Sequence, residues 1–187
     1  MGRPGIKLLP NGSFEDVCDD IRTVLNQEKV VQIRIAACRA AEALAKQLKA
    51  NFANKITRWV PTLLSQFKEK SKPLEEQIMH SVMFFMQTST SLNAHLGHLK
   101  AVLLEKKFPQ IRLKALDLAQ RILNTEALVT DISAEAVDMF LSSFAAALSE
   151  NTAAVRTAGT AALQLMMAQY GGDGAKFQRK VNKVLKE

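Results

Sequence analysis

Apolar residues recur along this chain at intervals of three and four, the period of an amphipathic α-helix. Phe14, Val17, Cys18, Ile21, Val24 and Leu25 form one stripe. Ser13 stands before it as N-cap, with Asp16 in the capping-box place, so a first helix is expected from Ser13 to about Asn26. A second runs from about Lys29 to Lys49, with Ile33, Ala37, Ala40, Ala41, Leu44 and Leu48 inward. A third covers about Phe52 to Glu69 through Ile56, Trp59, Val60, Leu63, Leu64 and Phe67, and Pro61 inside it predicts a kink. Pro73 and Pro109 instead follow polar turns and open helices, where a fixed φ is favourable and the missing N–H would be unpaired anyway. They start a fourth helix, about Pro73 to Thr88, and a sixth, about Pro109 to Leu123. Leu92 to Lys106 is expected as the fifth. After a longer connection, Asn124 to Ile132, Ser133 caps a seventh helix to about Leu148. An eighth spans about Ala153 to Tyr170 and is stopped by Gly171-Gly172, and a last one covers about Gly174 to Lys186.

The helices come in pairs joined by very short links: Gln27-Glu28, Lys70 to Lys72, Lys107-Phe108 and Asn151-Thr152. Such links force antiparallel neighbours. Arg34, Glu76, Arg112 and Arg156 hold matching places just after the links, and lie 42, 36 and 44 residues apart. Helix pairs repeating near every 40 residues predict an all-α solenoid of HEAT type, here about four pairs with a C-terminal capping helix. Residues 1–12 read as a flexible lead-in and 13–187 as a single domain. Stacked repeats align their turns in rows, so the four links are expected on one edge. That edge gathers Lys29, Lys68, Lys70, Lys72, Lys106, Lys107, Arg112, Lys114 and Arg156, with Glu28, Glu69, Glu75, Glu76, Glu105 and Glu150 among them.

Composition adds a direction to this scaffold. The chain of 187 residues is 48% hydrophobic with only 8 Gly and 5 Pro, as a helical core requires. Its formal net charge of +7 suits an acidic partner. Trp59 and most Phe residues fall at core spacing, leaving few aromatics to stack on bases, which disfavours nucleic acid. Phe108 is the exception, set in a turn between Lys107 and Pro109. It either contacts a partner or packs beneath the turn. Arg112 and Arg156 likewise either bridge to an acid of a neighbouring repeat or face a partner, with Arg156 the better contact candidate. Cys18 and Cys38 read as core thiols of a reducing compartment. Met79, Met83, Met86, Met139, Met166 and Met167 read as core.

Catalytic chemistry finds no constellation. His95 and His98 share a metal-compatible spacing, but no further ligand completes it. Gly171-Gly172-Asp173-Gly174 lacks the Lys-Ser/Thr of a phosphate loop and reads as a linker. Neither a catalytic site, a metal site nor a cofactor is expected. No apolar stretch is long enough for a transmembrane helix and Met1 to Ser13 has no signal-like core, so a cytoplasmic protein is expected.

Several runs resemble a known family. Leu44-Ala-Lys-Gln-Leu-Lys-Ala-Asn-Phe52 and Trp59-Val-Pro-Thr-Leu-Leu-Ser-Gln-Phe-Lys-Glu-Lys70 are similar to the second and third repeats of TOG domains, found in microtubule polymerases and CLASP-like proteins. Ala153-Ala-Val-Arg-Thr-Ala-Gly-Thr-Ala-Ala-Leu163 resembles their last repeat, and Val181-Asn-Lys-Val-Leu-Lys-Glu187 their closing helix. The resemblance covers residues 14–187, with no counterpart of the family's first repeat and its turn Trp. It implies a paddle of HEAT repeats whose turns bind αβ-tubulin or microtubules, acting as a monomer without small-molecule substrate or membrane. It places the protein on the cytoskeleton, at microtubules, spindle or centrosome. The partner-binding residues it implies are Gln27, Lys29, Val30, Lys70, Lys72, Lys106, Lys107, Phe108, Asn151 and Arg156. The alternative is a general HEAT scaffold that binds a different protein on its concave helical face and is indifferent to changes in the turns.

Overall fold

The computed structural model describes residues 14–48, 58–89, 92–130, 132–170, 179 and 181–183. The helices are α1 (Phe14–Gln27), α2 (Val31–Leu48), α3 (58–64), α4 (Lys72–Thr88), α5 (Leu96–Leu103), α6 (Pro109–Leu123), α7 (Glu126–Val129), α8 (Ala134–Leu148) and α9 (Ala153–Tyr170). Short 3-10 turns continue α3 over Ser65–Lys68 and precede α5 over Leu92–His95. No strand occurs among the described residues. The cap expected at Ser13, the segment 49–57, Gly171-Gly172 and most of the closing helix lie outside the described residues, although Val181 is buried.

Two layers make the solenoid. In one, α2, α4, α6 and α9 pack side by side in chain order. In the other, α5 packs beside α8, while α1, α5 and α8 each lie against their partner helix α2, α6 or α9. The core is the seam between layers. Trp59 of α3 stacks on Phe85 of α4 with ring centroids 5.8 Å apart, and Phe140 stacks on Phe144 within α8 at 5.7 Å. Met79, Met86, Met139 and Met166 are buried, as are both free cysteines. Desolvation pushes the Cys38 thiol up to about 11, so it remains protonated at neutral pH.

Three expectations need correction. The fifth helix does not run from Leu92 to Lys106: it starts as a 3-10 turn and ends at Leu103. The connection expected from Asn124 to Ile132 contains the short helix α7, whose Leu128 is buried. The stripes of the first two helices are only half inward. Cys18 and Leu25 are buried but Val17 and Val24 are exposed, and on α2 the inward residues are Ile35, Ala37, Cys38, Ala41 and Ala45 rather than Ile33 and Ala40. A repeat buries faces on both of its neighbours, and no described element covers the outer face of α1 and α2.

Gly159 marks a close approach of two helices. A Cβ there would lie 2.7 Å from the Ala147 Cβ and 3.4 Å from the Phe144 carbonyl oxygen, so α9 crosses α8 where only hydrogen fits. Glycine costs the helix about 1 kcal/mol relative to alanine, but overpacking a fixed backbone costs about 1–3 kcal/mol. Gly159→Ala is expected to lower stability by up to about 2 kcal/mol in urea denaturation; a gain would refute the close crossing.

His95 is fully buried at the start of α5, and its Nε2 meets the Ser89 hydroxyl at 3.1 Å. Its Nδ1 has no hydrogen-bond partner. His98, on the same turn, is exposed. Burial, and then the neighbouring His98, hold the His95 imidazole below its ordinary value of 6.5. The unfolded chain therefore takes up a proton that native His95 resists. Stability is full above about pH 6.5 and falls as pH drops below it, by at most about 1.4 kcal/mol per unit from this group. Urea midpoints across that range are expected to fall for the parent and to fall less for His95→Gln.

Candidate functional site

The turns between paired helices are residues 28–30, 69–71, 104–108 and 149–152. Side chains from the flanking helices fasten each turn to the next. Arg34, buried at the start of α2, donates through Nε to the Leu25 carbonyl at 3.0 Å and through Nη2 to Gln66 Oε1 at 2.5 Å, and its Nη1 pairs with Glu69 Oε2 at 3.0 Å. Gln66 in turn donates to Asn26 Oδ1 at 2.7 Å. The first turn is thus tied to the second. Lys114 of α6 pairs with Glu75 at 3.0 Å and donates to the Glu69 carbonyl, tying the second turn to the third repeat. Arg112, only 1% exposed, pairs through Nη1 with Glu150 of the fourth turn. The four turns therefore form one continuous edge, as their spacing predicted.

These fastenings separate the basic residues of the edge into two groups. Arg34, Arg112 and Lys114 are structural, so Arg112 bridges repeats and does not face solvent. Lys29, Lys70, Lys72, Lys106 and Lys107 are exposed, and no carboxylate pairs with any of them among the described residues. Gln27 and Asn151 are exposed too. Arg156 is exposed but donates through Nη1 to the carbonyls of Glu150, at 2.7 Å, and Asn151, at 2.9 Å. It holds the fourth turn in shape while keeping its charge at the surface.

Two hydrophobic residues stand among these cations. Val30 is 52% exposed and Phe108 57% exposed, which decides the Phe108 alternative in favour of the surface. Each is the residue immediately before its helix, and its carbonyl accepts from the N–H groups three and four residues on. Each follows a lysine and stands four residues before a buried arginine. They hold equivalent places in the first and third repeats. Ser, Thr, Asp and Asn are the residues that stabilise this N-cap position, and Val and Phe cannot cap. Ser71 and Thr152 hold the same place in the second and fourth turns, where their residue types can cap, although the Ser71 side chain makes no capping bond.

Carboxylates set the shape of the apolar turns, a role the sequence reading did not assign. Glu28 Oε1 accepts from the N–H groups of Lys29, at 2.7 Å, and Val30, at 2.9 Å. The Val30 bond, followed by that of Lys29, holds the Glu28 carboxyl below its usual range. Glu105 Oε1 accepts from the Lys107 N–H at 2.7 Å. A glutamate one or two residues before each Lys–hydrophobe pair was the available signal. What results is an edge with two exposed apolar side chains on a positively charged ground. It has no clustered nucleophile and base, and no group of three or more metal-ligating side chains among the described residues.

No family model matches the chain. Its fold is shared with a chain from a structure concerned with microtubule plus-end tracking by XMAP215, CLIP-170 and EB1. That match has a TM-score of 0.75 at 21% identity and covers 94% of this chain and 76% of the other. A second match, with a TM-score of 0.73 at 16% identity, is to a structure of tubulin recruitment and assembly by microtubule polymerases with arrays of Tumor Overexpressed Gene (TOG) domains. It covers 95% of this chain and 38% of the other. This chain has the TOG-domain fold. Protein mini spindles of Drosophila melanogaster is 26% identical to it over 164 residues, which is 87% of this chain and 8% of that protein. The TOG fold is the HEAT-repeat solenoid read from the sequence, and its row of turns is the edge built above. No helix among the described residues is long and apolar enough to cross a membrane.

Proposed function

We propose that this TOG-fold chain is a non-catalytic module that binds αβ-tubulin through its turn edge and acts in microtubule dynamics. The observation that carries the reading is the pairing of exposed, poorly capping hydrophobes with unpaired lysines along a braced edge. Sequence that weakens local structure at an exposed position is retained where a partner covers it. Val30 and Phe108 would insert as anchors, and Lys29, Lys70, Lys72, Lys106 and Lys107 would steer an acidic partner. Gln27, Asn151 and Arg156 complete the contact surface. The solved TOG-array structure concerns tubulin recruitment, and its fold supports this choice of partner. The reading places the protein in the cytoplasm on the microtubule cytoskeleton, with no small-molecule substrate or cofactor.

Gel filtration of the chain with αβ-tubulin at low salt is expected to show co-elution. Separate elution would count against the proposal. Binding that survives substitution of every turn residue would move the contact to the helical faces.

A further inference from the structure

Between the second turn and α6 lies a cleft of about 570 Å³, with Lys68, Lys70, Lys72 and Lys114 in its lining and Leu113 on its α6 wall. Glu69, Glu75 and Asp117 also line it, but each is already neutralised. Arg34 holds Glu69 at 3.0 Å, Lys114 holds Glu75 at 3.0 Å, and Arg121 holds Asp117 at 3.1 Å. Lys114 is spent in that pairing. Lys68, Lys70 and Lys72 have no carboxylate partner among the described residues, so three positive charges face one cleft uncompensated.

We propose that this cleft binds an extended acidic peptide segment of the partner. The inference rests on the reading that the turn edge docks a protein, and it adds a ligand chemistry at one place on that edge. The three lysines line a space of about 570 Å³, far larger than a phosphate or a single carboxylate. A DNA backbone offers acceptors but no donors for the lining carboxylates, and the cleft has no aromatic side chain to stack a base. A peptide suits both features. Its carboxylates pair with the flexible lysines, its backbone N–H groups can donate to the lining carboxylates, and an apolar side chain can rest on Leu113. Lysine ammonium groups are mobile point charges and tolerate variable spacing of the acids.

The test uses the whole chain and a short fluorescein-labelled peptide of alternating Glu and Gly, followed by anisotropy. The parent is expected to bind at low salt and to weaken by about tenfold or more as salt is raised. Lys70→Ala/Lys72→Ala should weaken binding by about tenfold, and the double Glu variant should abolish it. Lys183→Ala removes one exposed charge far along the sequence from the cleft and should leave affinity unchanged. No binding by the parent, or equal weakening by Lys183→Ala, would overturn the proposal. So would a DNA duplex that binds more tightly than the peptide and depends equally on Lys70 and Lys72. The peptide result is separate from tubulin co-elution: a parent that binds tubulin but not the peptide loses the cleft and keeps the edge.

Discussion

Glu150→Ala will destabilise the chain by about 3–5 kcal/mol, whereas Arg112→Leu will cost about 1–2 kcal/mol. The asymmetry follows from where each charge sits. Arg112 is 1% exposed, and only its Nη1 has a partner, the Glu150 carboxylate. Its Nε and Nη2 are buried without hydrogen bonds. Removing Glu150 therefore leaves a guanidinium out of water with no counter-charge, which is the expensive way to break a buried pair. Replacing Arg112 with Leu removes the buried charge and fills much of the space with apolar atoms. Glu150, whose side chain is 24% exposed, can then turn to solvent. Arg156 still holds the fourth turn, because it bonds to backbone carbonyls that both variants retain. Glu150→Gln should fall between, since it keeps an acceptor but loses the charge. Urea denaturation of the three variants decides the order, and a larger loss for Arg112→Leu would show that packing, not charge, dominates this bridge.

Phe108→Ser is expected to make the fold more stable while weakening partner binding. Phe108 is the N-cap of α6 and makes no side-chain capping bond. Serine there can accept from the N–H groups of the first turn, worth about 0.5–1 kcal/mol. Little packing is lost, because the ring is 57% exposed. In the proposed complex the same ring would be an aromatic anchor, and losing it should cost about 1–3 kcal/mol of binding, or roughly five- to 150-fold in affinity. Val30→Ser should act in the same two directions with a smaller binding loss. A rise in thermal midpoint with unchanged tubulin affinity would remove Phe108 from the interface; a fall in midpoint would mean that the ring packs on the fold.

Much of the fold was legible because its rules are local. Pro109 and Ser133 mark helix starts that the structure reproduces, with Ser133 Oγ accepting from the Ala136 N–H at 3.1 Å. Matching positions about forty residues apart gave the stacking, and stacking alone put the turns on one edge. Roles that depend on what the next repeat sets opposite were only partly legible. For Arg112 the sequence left a bridge to a neighbouring repeat beside partner contact, and for Arg34 it named no partner; both are buried because Glu150 and Glu69 of the following turns meet them. Val17 and Val24 look like core by period and are exposed, since a period identifies a face but not whether anything covers it. The 3-10 start of α5 ends on His95, whose contact with Ser89 no periodicity encodes. The candidate edge was legible as basic, and Val30 and Phe108 already stood among the residues the resemblance implied; its division into bracing and free cations, and the exposure of those two side chains, needed coordinates.

Titration of labelled αβ-tubulin with the chain, at low and raised salt, tests the central claim most directly when run beside one variant. That variant carries Phe108→Ser together with Lys70→Glu and Lys107→Glu, three exposed positions spread over two turns. The account predicts saturable binding by the parent that weakens about tenfold or more on raising salt, with no detectable binding by a variant that melts no lower than the parent. Equal, salt-insensitive binding by the two proteins would contradict it and take the partner surface away from the turns.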